Sequence, residues 1–463
     1  MSAMMDFLAA VKAMSGRLVG GNGSFSGVST DSRKIGAGEL FFALRGENFD
    51  GHEFLSAAKA LGAAAAVVAA DAVDALEECG LPLLVVTDTR LALGALAADW
   101  RVRFDLPVIA VTGSNGKTTS KEMITSILRV AFGEAVLATQ GNLNNDIGMP
   151  LTLLKLNAGH RAAVIEMGMN HPGEIAYLTN IARPTVAVVT NAQRAHLEGM
   201  GTLETIATEK GSVFMGLATS GVAVINADDT WADLWASQTA ARKVMTYSFV
   251  KAADVMGSFQ SHGLDNHLTI TAQGESIDVS LALPGAHNAR NALGAATVAL
   301  AAGLSLSVVR DGLLAFRGIK GRLQRRPGLN GAILLDDTYN ANPDSVRAGI
   351  DVLAATIGKK ILVLGDMGEI GDMTGQFHDE IGGYAKSQGV DLLLAFGDSS
   401  ALAAHNFGAG GQHFKKIESL IEALSNELTA ESTVLIKGSR FMRMERVADA
   451  VSTLSTPVTE GGK

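Results

Sequence analysis

The feature that most constrains this chain is the segment at residues 107–119, which reads PVIAVTGSNGKTT. A short apolar run leads into a glycine-rich turn, and a helical pattern follows with Ile124 and Leu128 on one face. A strand that enters a helix through such a turn directs several backbone N–H groups at one point, where the helix dipole adds positive potential. The segment therefore predicts a phosphate-binding loop, in which Lys117 reaches the outer phosphates of a nucleotide and Thr118 offers a hydroxyl to Mg²⁺.

This loop departs from the common phosphate-loop pattern at one position. The common pattern has a glycine five residues before the Gly-Lys pair, and this chain has Val111 there. The loop is therefore a shortened variant, which argues against an ordinary ATPase. A plain strand–helix turn that happens to contain Gly-Lys-Thr is the alternative, and we disfavour it because strand, loop and helix all fit together.

Composition limits the class of protein and its partners. With 463 residues, 47% of them hydrophobic and 18% charged, the chain is expected to form about three compact α/β domains. The net charge of −9, with no long basic run, argues against nucleic acid as a partner. The lone Cys79 provides neither a disulfide framework nor a cysteine metal cluster, which suits the reducing cytoplasm. The longest apolar run, around residues 60–70, is too short for a membrane span.

The order of apolar runs divides the chain into three parts. A helical pattern ends near residues 103–107 before a new strand begins, and a second break falls near residues 327–331. We therefore expect a smaller N-terminal α/β domain, a central domain and a C-terminal α/β domain. The predicted bounds are residues 1–104, 105–326 and 327–463.

The central part is expected to form a mainly parallel sheet covered by helices, because short apolar runs alternate there with helical segments. Apolar residues that alternate on either side of Gly274 and Glu275 predict a β-hairpin added beside that sheet. The predicted parallel strands are residues 108–112, 162–167, 185–190 and 222–226.

The C-terminal part carries polar loops at the ends of its four predicted strands. These loops read DDTYNANP, GDMGEIG, GDSS and KGSR. Because ligands of open α/β sheets bind at the carboxyl ends of the strands, we expect a second binding edge here. Any one of the loops can be an ordinary turn rich in Gly and Asp, but four together are harder to explain in that way.

Three side chains of the central part are candidates for metal chemistry. Glu166 ends the strand next to the phosphate loop, where a carboxylate is well placed to hold Mg²⁺. His196 lies in the loop after the next strand, where it is either a structural histidine or a metal ligand. For Lys210, on a predicted helix, a solvated surface charge is the default interpretation.

Seven segments, in this order and at these spacings, resemble those of the Mur ligases. The family consists of ATP-dependent amide-bond ligases of peptidoglycan precursor synthesis, and the resemblance covers essentially the whole chain. STDSRKIGAGELFFALRGENFDGHEF in the N-terminal part also resembles the nucleotide-sugar domain of these ligases. The segments are VTGSNGKTT, IEMGMNHPGEI, AHLEGMG, GAHNARNALGA, GRLQ, DDTYNANPDS and GDMGEIG.

The resemblance implies a fold and a reaction. The central domain would be a parallel-sheet ATPase domain of the P-loop type, and the C-terminal domain would be Rossmann-like. TYNANPDS and GDMGEIG point to the member that joins D-alanyl-D-alanine to UDP-N-acetylmuramoyl-tripeptide, with ATP as the energy source. The UDP-peptide would bind to the first domain, ATP to the second and the dipeptide to the third. Two Mg²⁺ sites and a cytoplasmic monomer are also expected.

The resemblance further implies roles for individual residues. Lys117, Glu166, His196 and Lys210 would be catalytic, and Lys210 matches a lysine that several family members carry as a carbamate. ATP would contact Gly113, Ser114, Asn115, Gly116, Lys117, Thr118, Thr119, Asn288, Arg322, Asp337, Tyr339 and Asn340. Mg²⁺ would be held by Thr118, Glu166, His196 and Lys210. The UDP substrate would contact Ser29, Thr30, Asp31, Ser32, Arg33, Thr139, Asn142 and Asn145, and the dipeptide would contact Asn342, Asp366 and Arg440.

One segment departs from the family pattern, and three rival functions stay open. The family usually has a glycine-containing NIGxAH segment, where this chain reads NAQRAH and gains the positive charge of Arg194. The first rival is folylpolyglutamate synthetase, which shares the shortened loop, but STDSR before ELFFALRG argues against it. The second is a Mur ligase that acts one step earlier. The third is a non-catalytic nucleotide-binding or transport-coupling protein.

Overall fold

The computed structural model describes residues 3–75 and 79–454, and these residues form three α/β units, each built on its own sheet. The expected fold class is therefore confirmed. No helix among the described residues is long and apolar enough to cross a membrane.

The N-terminal unit is built on a five-stranded sheet of order β2-β7-β6-β5-β4. All its strand pairs are parallel except β2 with β7, and β1 pairs with β3 outside the sheet. The elements are β1 (Met5–Asp6), α1 (Phe7–Ala13), β2 (Arg17–Val19), β3 (Ser24–Phe25), β4 (Val28–Ser29), β5 (Leu40–Phe42), α2 (Leu55–Ala60), β6 (Ala65–Ala69), β7 (Leu83–Val86) and α3 (Thr89–Arg101).

The central unit is built on a nine-stranded sheet of order β16-β15-β14-β13-β12-β11-β8-β10-β9. Its strands are β8 (Val108–Thr112), β9 (Val136–Ala138), β10 (Ala162–Glu166), β11 (Val186–Val189), β12 (Val222–Asn226), β13 (Lys243–Ser248), β14 (Val255–His262), β15 (Asp265–Ala272) and β16 (Glu275–Leu281). Its helices are α4 (Lys117–Phe132), α5 (Gly148–Leu153), α6 (Glu174–Ala182), α7 (Leu197–Met200), α8 (Leu203–Met215), α9 (Ala232–Ser237), α10 (Ala286–Ala301) and α11 (Leu306–Ala315).

The parallel part of the central sheet confirms the expectation from its apolar runs. β8, β10, β11 and β12 consist of buried residues throughout, because helices cover both faces. The hairpin at Gly274 is also confirmed, with Ala272 opposite Glu275. The structure adds β14 antiparallel to β15, so the hairpin is the end of a three-stranded antiparallel extension.

The C-terminal unit is built on a six-stranded sheet of order β17-β18-β22-β19-β20-β21. Only β17 is antiparallel to its neighbour. The strands are β17 (Gln324–Pro327), β18 (Ile333–Asp337), β19 (Lys359–Gly365), β20 (Leu392–Phe396), β21 (Gly411–Phe414) and β22 (Ser432–Lys437). The helices are α12 (Pro343–Ala354), α13 (Thr374–Ser387), α14 (Ser400–Phe407), α15 (Ile417–Glu427) and α16 (Glu445–Ala450).

The boundary expected between residues 326 and 327 falls inside β17. This strand pairs with β18 along Gln324–Pro327 and so belongs to the C-terminal sheet. We therefore propose to place that boundary before Gln324. The division near residue 104 stays a prediction, and α3 ends just before it at Arg101.

The N-terminal and central units share one apolar core. A single cluster of buried residues runs from Phe42 and Leu84 in the first sheet through Leu93 on α3 to Ile165 in the central sheet. The buried Arg101 guanidinium adds hydrogen bonds to the carbonyl oxygens of Ala182 (3.0 Å) and Phe104 (2.8 Å). These two units are therefore fixed to each other by packing.

A buried ion pair fixes β17 to β18, and its removal is expected to destabilise the C-terminal unit. Arg326 lies 2.9 Å from Asp336, whose side chain is fully buried, and 2.8 Å from Asp449. Substitution Arg326→Ala leaves these carboxylates without their cation, which typically costs about 3–5 kcal/mol. Urea-dependent hydrogen exchange of the C-terminal sheet amides measures this loss.

The matched control is Lys359→Ala in the same unit. Lys359 pairs with Glu427 at the surface, where both side chains are about one-third exposed or more, so its loss is expected to cost at most about 1 kcal/mol. Equal exchange behaviour of the two variants would contradict the assigned role of Arg326.

Candidate active site

All three units contribute to one large cavity of about 1060 Å³. The central unit provides the phosphate-loop segment and the loops that follow β10 and β11. The N-terminal unit provides Arg90, and the C-terminal unit provides the loops that follow β18, β19 and β22. The cavity therefore lies at the carboxyl ends of parallel strands, which is where ligands of α/β sheets bind.

The glycines of the phosphate loop are required by its backbone. Gly113 has φ +146° and Gly116 has φ +81°, a region that other residues rarely adopt. A Cβ on Gly113 would also overlap the hydroxyl of Thr190. The loop turns sharply at these two positions, and α4 begins directly after it at Lys117. Residues 114–119, which include the start of α4, line the cavity.

The loop after β11 holds the phosphate loop in place. Ser114 and Asn115 donate their backbone N–H groups to the carbonyl and the side-chain oxygen of Asn191, each at 2.9 Å. The Thr190 hydroxyl donates to the Asn115 carbonyl (2.6 Å), and Gln193 bonds to both loop side chains. The glycine-free segment NAQRAH therefore forms an ordered support.

Lys117 points back along the phosphate loop. Its Nζ donates to the carbonyl oxygens of Gly113 (2.7 Å) and Ser114 (3.1 Å). Burial lowers the pKa of the Lys117 ammonium, while the negative charge of Glu166 opposes that shift. The ammonium is thus held over the loop, where it can exchange its carbonyl partners for phosphate oxygens.

Glu166 has one carboxylate oxygen in use and one that is free. Its Oε1 accepts a hydrogen bond from Asn144 Nδ2 at 2.8 Å, and its backbone N–H donates to the Thr139 hydroxyl at 3.0 Å. Its Oε2 is buried and has no hydrogen-bond partner among the described residues. Buried carboxylate oxygens are normally satisfied, so this oxygen is suited to a cation that enters with the ligand.

Lys210 is buried, so the default interpretation as a solvated surface charge is wrong. Its side chain on α8 is 1% exposed. Burial holds the pKa of the Lys210 amine well below its usual value, and the nearby charge of Lys117 lowers it further. The neighbouring Glu209 caps α6 by accepting the Ile175 N–H at 2.8 Å. The lowered pKa favours the neutral form of the Lys210 amine.

His196 contacts the C-terminal unit. Its Nδ1 lies 2.9 Å from Oε2 of Glu369, in the loop after β19. Both residues adopt the left-handed backbone conformation, with φ +59° for His196 and φ +60° for Glu369. Such conformations are uncommon outside glycine and concentrate at functional sites. Two strained loops from different units therefore meet in the cavity.

The cavity lining includes two residues, Lys437 and His287, to which the sequence assigned no role. Lys437, at the end of β22, donates to Oδ2 of Asp337 (2.5 Å) and to the carbonyl of Asn340 (2.9 Å). His287 is partly exposed at the start of α10, and desolvation lowers its pKa to about 4, so it is neutral near pH 7. The KGSR loop was a sequence signal for Lys437, and the segment GAHNARNALGA was one for His287.

Most of the predicted site residues line this cavity. Two of them are stacked on each other: the guanidinium carbon of Arg322 lies 3.9 Å from the centre of the Tyr339 ring. The predicted residues that line it are Ser114, Asn115, Gly116, Lys117, Thr118, Thr119, Asn142, Asn145, Glu166, His196, Asn288, Arg322, Asp337, Tyr339, Asn340, Asn342 and Arg440. The remaining predicted residues, Gly113, Thr139, Lys210, Asp366 and residues 29–33, are not part of its lining.

Two of the residues outside the lining support neighbouring groups. The Thr139 hydroxyl accepts the backbone N–H of Glu166 and so helps to fix the end of β10. The Asp366 carboxylate accepts the N–H groups of Ser399 (3.3 Å) and Ser400 (2.7 Å) at the start of α14. Asp366 is thus hydrogen-bonded to the start of α14, and its contact with the dipeptide stays a prediction.

The arrangement contains few metal-ligating side chains. Within residues 3–75 and 79–454, no group of three or more His, Cys, Asp and Glu side chains is placed to hold a metal ion. Any cation at Glu166 therefore needs further ligands of another kind, such as the Thr118 hydroxyl and phosphate oxygens.

Comparison with known proteins identifies the family. Three family models match the chain: "Mur ligase family, catalytic domain" at residues 24–101, "Mur ligase middle domain" at residues 111–299, and "Mur ligase, glutamate ligase domain" at residues 321–440. The chain therefore belongs to the Mur ligase family.

Several relatives carry the same specific name. The UDP-N-acetylmuramoyl-tripeptide–D-alanyl-D-alanine ligase of Escherichia coli is 41% identical over 450 residues, which is 96% of this chain and 97% of that protein. A crystal structure of MurF from Acinetobacter baumannii has a TM-score of 0.89 at 35% identity and covers 95% of this chain and 97% of that one. A MurF ligase from Thermotoga maritima, solved with ADP, has a TM-score of 0.79 at 26% identity and covers 92% and 96%.

Proposed function

We propose that this enzyme joins D-alanyl-D-alanine to UDP-N-acetylmuramoyl-tripeptide through an acyl-phosphate intermediate, with conversion of ATP to ADP and phosphate. The observation that carries the proposal is one cavity lined by all three units, with the phosphate loop at its centre. A reaction of three substrates requires such a meeting point. The relatives named for this ligation match the chain over nearly its whole length.

The first step is activation of the terminal carboxylate of the peptide. A carboxylate is a poor electrophile, so one of its oxygens attacks the γ-phosphorus of ATP, and the bond to the ADP oxygen breaks. The product is an acyl phosphate. Lys117 and the N–H groups of the phosphate loop stabilise the negative charge that develops on the phosphate oxygens.

The second step forms the amide bond. The amine nitrogen of D-alanyl-D-alanine attacks the acyl carbon, the bond to the phosphate oxygen breaks, and the nitrogen loses a proton. The C-terminal unit brings the amine to the cavity, with Arg440 on its lining as the candidate partner of the dipeptide carboxylate. Contact between the units excludes water, which would otherwise hydrolyse the acyl phosphate.

The residues present fit Mg²⁺. The free Oε2 of Glu166 is the supporting observation, and Thr118, His196 and a carbamate on Lys210 would complete the ligand sets. When bound, Mg²⁺ neutralises charge on the phosphates. A carbamate forms when the neutral Lys210 amine bonds to the carbon of CO₂ and releases a proton. That modification turns a cation, which cannot coordinate a metal, into an oxygen ligand.

The UDP part of the substrate is assigned to the N-terminal unit. Residues 30–33 follow β4, which ends at Ser29, at the carboxyl end of its sheet. Arg33 is largely exposed and forms a two-bond ion pair with Asp31, and the Arg33 guanidinium lowers the pKa of Asp31 to about 2. The exposed Arg33 guanidinium can exchange Asp31 for the oxygens of a pyrophosphate. Asn142 and Asn145, on the cavity lining, would contact the sugar and pyrophosphate.

A phosphate-release assay tests the proposed function. The purified enzyme receives ATP, Mg²⁺ and UDP-N-acetylmuramoyl-tripeptide, and the amine substrate is varied. We expect phosphate release with D-alanyl-D-alanine and little with single amino acids. Release with a single amino acid and a shorter UDP-peptide would assign the chain to an earlier ligase of the pathway. ATP binding without release under any condition would support a non-catalytic protein.

Substitution of Lys117 is expected to separate catalysis from recognition of the UDP group. Lys117→Ala removes a preorganised charge, which typically costs about 10²–10³ in rate. The affinity for the UDP-peptide, measured by calorimetry, should change little. Activity within a few-fold of the parent enzyme would rule out the role given to Lys117.

Arg33→Ala is the matched substitution in the N-terminal unit. It should weaken binding of the UDP-peptide and leave the affinity for ATP nearly unchanged, because Arg33 lies in a different unit from the phosphate loop. Equal losses for both ligands would show that the segment at residues 29–33 is structural.

Lys210→Ala is expected to lose most of the activity. Acetate or another short carboxylic acid should restore part of it by supplying an oxygen ligand, and added bicarbonate should stimulate the parent enzyme only. Glu204→Ala on the exposed face of α8 is the control and should stay active. Full activity of Lys210→Ala, together with an unmodified lysine in the intact mass of the parent, would refute the carbamate.

A cytoplasmic location and a monomeric state stay predictions. Both agree with a reaction that consumes ATP and whose three substrates meet in a cavity within one chain.

A further inference from the structure

The contacts between the C-terminal and central units include hydrogen bonds and ion pairs, beside the apolar Leu197 and Leu264 of the central unit, which pack against the C-terminal core. The N-terminal unit shares an apolar core with the central unit, whereas side chains of the C-terminal unit reach the phosphate loop and its support by hydrogen bonds and ion pairs. One example is Asn342, which exchanges side-chain hydrogen bonds with Asn115 at 2.8 and 3.3 Å. Polar contacts of this kind can break and re-form with small changes in energy.

Arg194 makes the most extensive of these contacts. Its backbone N–H donates to Oδ2 of Asp344 at 2.8 Å, and its Nε and Nη2 donate to Oδ1 of Asp344 at 3.0 and 2.6 Å. Its Nη1 lies 3.3 Å from Oε2 of Glu380. The three side chains are between 21% and 29% exposed, so water screens the cluster only in part.

This cluster connects Arg194 to two helices of the C-terminal unit. Asp344 lies in the first turn of α12, where the helix dipole also favours a carboxylate. Glu380 lies on α13 and is paired a second time with Arg347 at 2.5 Å. The Arg194 guanidinium also lies 5.2 Å above the ring of Phe377 on α13. A single side chain of the central unit therefore binds both helices.

The position of Arg194 in its loop links this attachment to the reaction site. Gln193, one residue before it, bonds to the side chains of Ser114 and Asn115 in the phosphate loop. His196, two residues after it, contacts Glu369 of the C-terminal unit at 2.9 Å. Movement of the C-terminal unit away from Arg194 would therefore also separate Glu369 from His196.

We propose that Arg194 is a positioning residue that holds the C-terminal unit closed over the phosphate loop, which places the dipeptide-binding loops against the activated carboxylate. The expected effect on the KM for the dipeptide rests on the proposed function. Arg194 touches neither ATP nor the peptide in the proposed scheme. Its loss should therefore raise the KM for the dipeptide and leave ATP binding intact.

Scattering and kinetics of Arg194→Ala test the proposal. In small-angle X-ray scattering, the ligand-free variant should have a larger radius of gyration than the parent enzyme. The KM for D-alanyl-D-alanine should rise about tenfold, within the usual range for coupled sites, while the dissociation constant of ATP stays within about twofold. Salt should raise this KM in the parent enzyme and much less in the variant, because the ion pairs are screened.

A double-mutant cycle shows whether the ion pair is responsible. Asp344→Asn should reproduce the effect of Arg194→Ala, and the double variant should be no worse than either single one. Arg194→Lys keeps the positive charge but loses the forked guanidinium. Its KM for D-alanyl-D-alanine should therefore lie between that of the parent enzyme and that of Arg194→Ala. Arg310→Ala removes an exposed pair with Asp311 on α11 and serves as the control without effect.

Two results would overturn the proposal. One is an unchanged radius of gyration together with an unchanged KM for the dipeptide. The other is a parallel loss of ATP and dipeptide affinity with a lower melting temperature, which would mean that Arg194 only stabilises the fold. Failure of the ligation activity itself would count against the proposed function, whereas the scattering result stands without any substrate.

Discussion

The shape of the phosphate loop is the constraint on which the rest of the site depends. Its N–H groups can converge on one point only if the backbone turns through conformations that glycine tolerates, as at Gly113 and Gly116. A glycine-rich backbone has many accessible conformations, so the loop needs contacts that hold it in one of them. Residues 190–193 provide these contacts through side-chain and backbone hydrogen bonds. The same support carries Arg194 and His196 towards the C-terminal unit, so the geometry of phosphate binding and the position of that unit are set by one segment.

The two attachments of the central unit differ in physical kind, and the difference suits a reaction whose products must leave the cavity. Apolar burial between the N-terminal and central units is non-directional and is not screened by salt, so these units behave as one body. The C-terminal unit is held by directional contacts such as those of Arg194 and Asn342, which are lost together when the helices move. A unit attached in this way can leave and return, which product release requires.

The sequence predicted those parts of the molecule whose signal is local. β8, β10 and β12 were expected because strands buried on both faces read as continuous apolar runs. β13 was not expected, since its sequence KVMTYS is half-buried and mixed in polarity. Burial of Lys210 and the pairing of Arg194 with Asp344, 150 residues away in sequence, depend on tertiary contacts that no local pattern carries. The N-terminal capping role of Asp366 was hidden for the same reason.

An unsatisfied carboxylate oxygen on the cavity lining, Oε2 of Glu166, shows that the hydrogen bonding of the site is incomplete without a ligand. The free Oε2 of Glu166 costs the folded chain about 1–3 kcal/mol if nothing compensates it. A ligand or cation that satisfies this oxygen binds the folded state alone and so stabilises it. The ligand-free protein is therefore less stable than it would be with this group satisfied. Binding of the substrates restores that stability, because the polar group already faces the cavity.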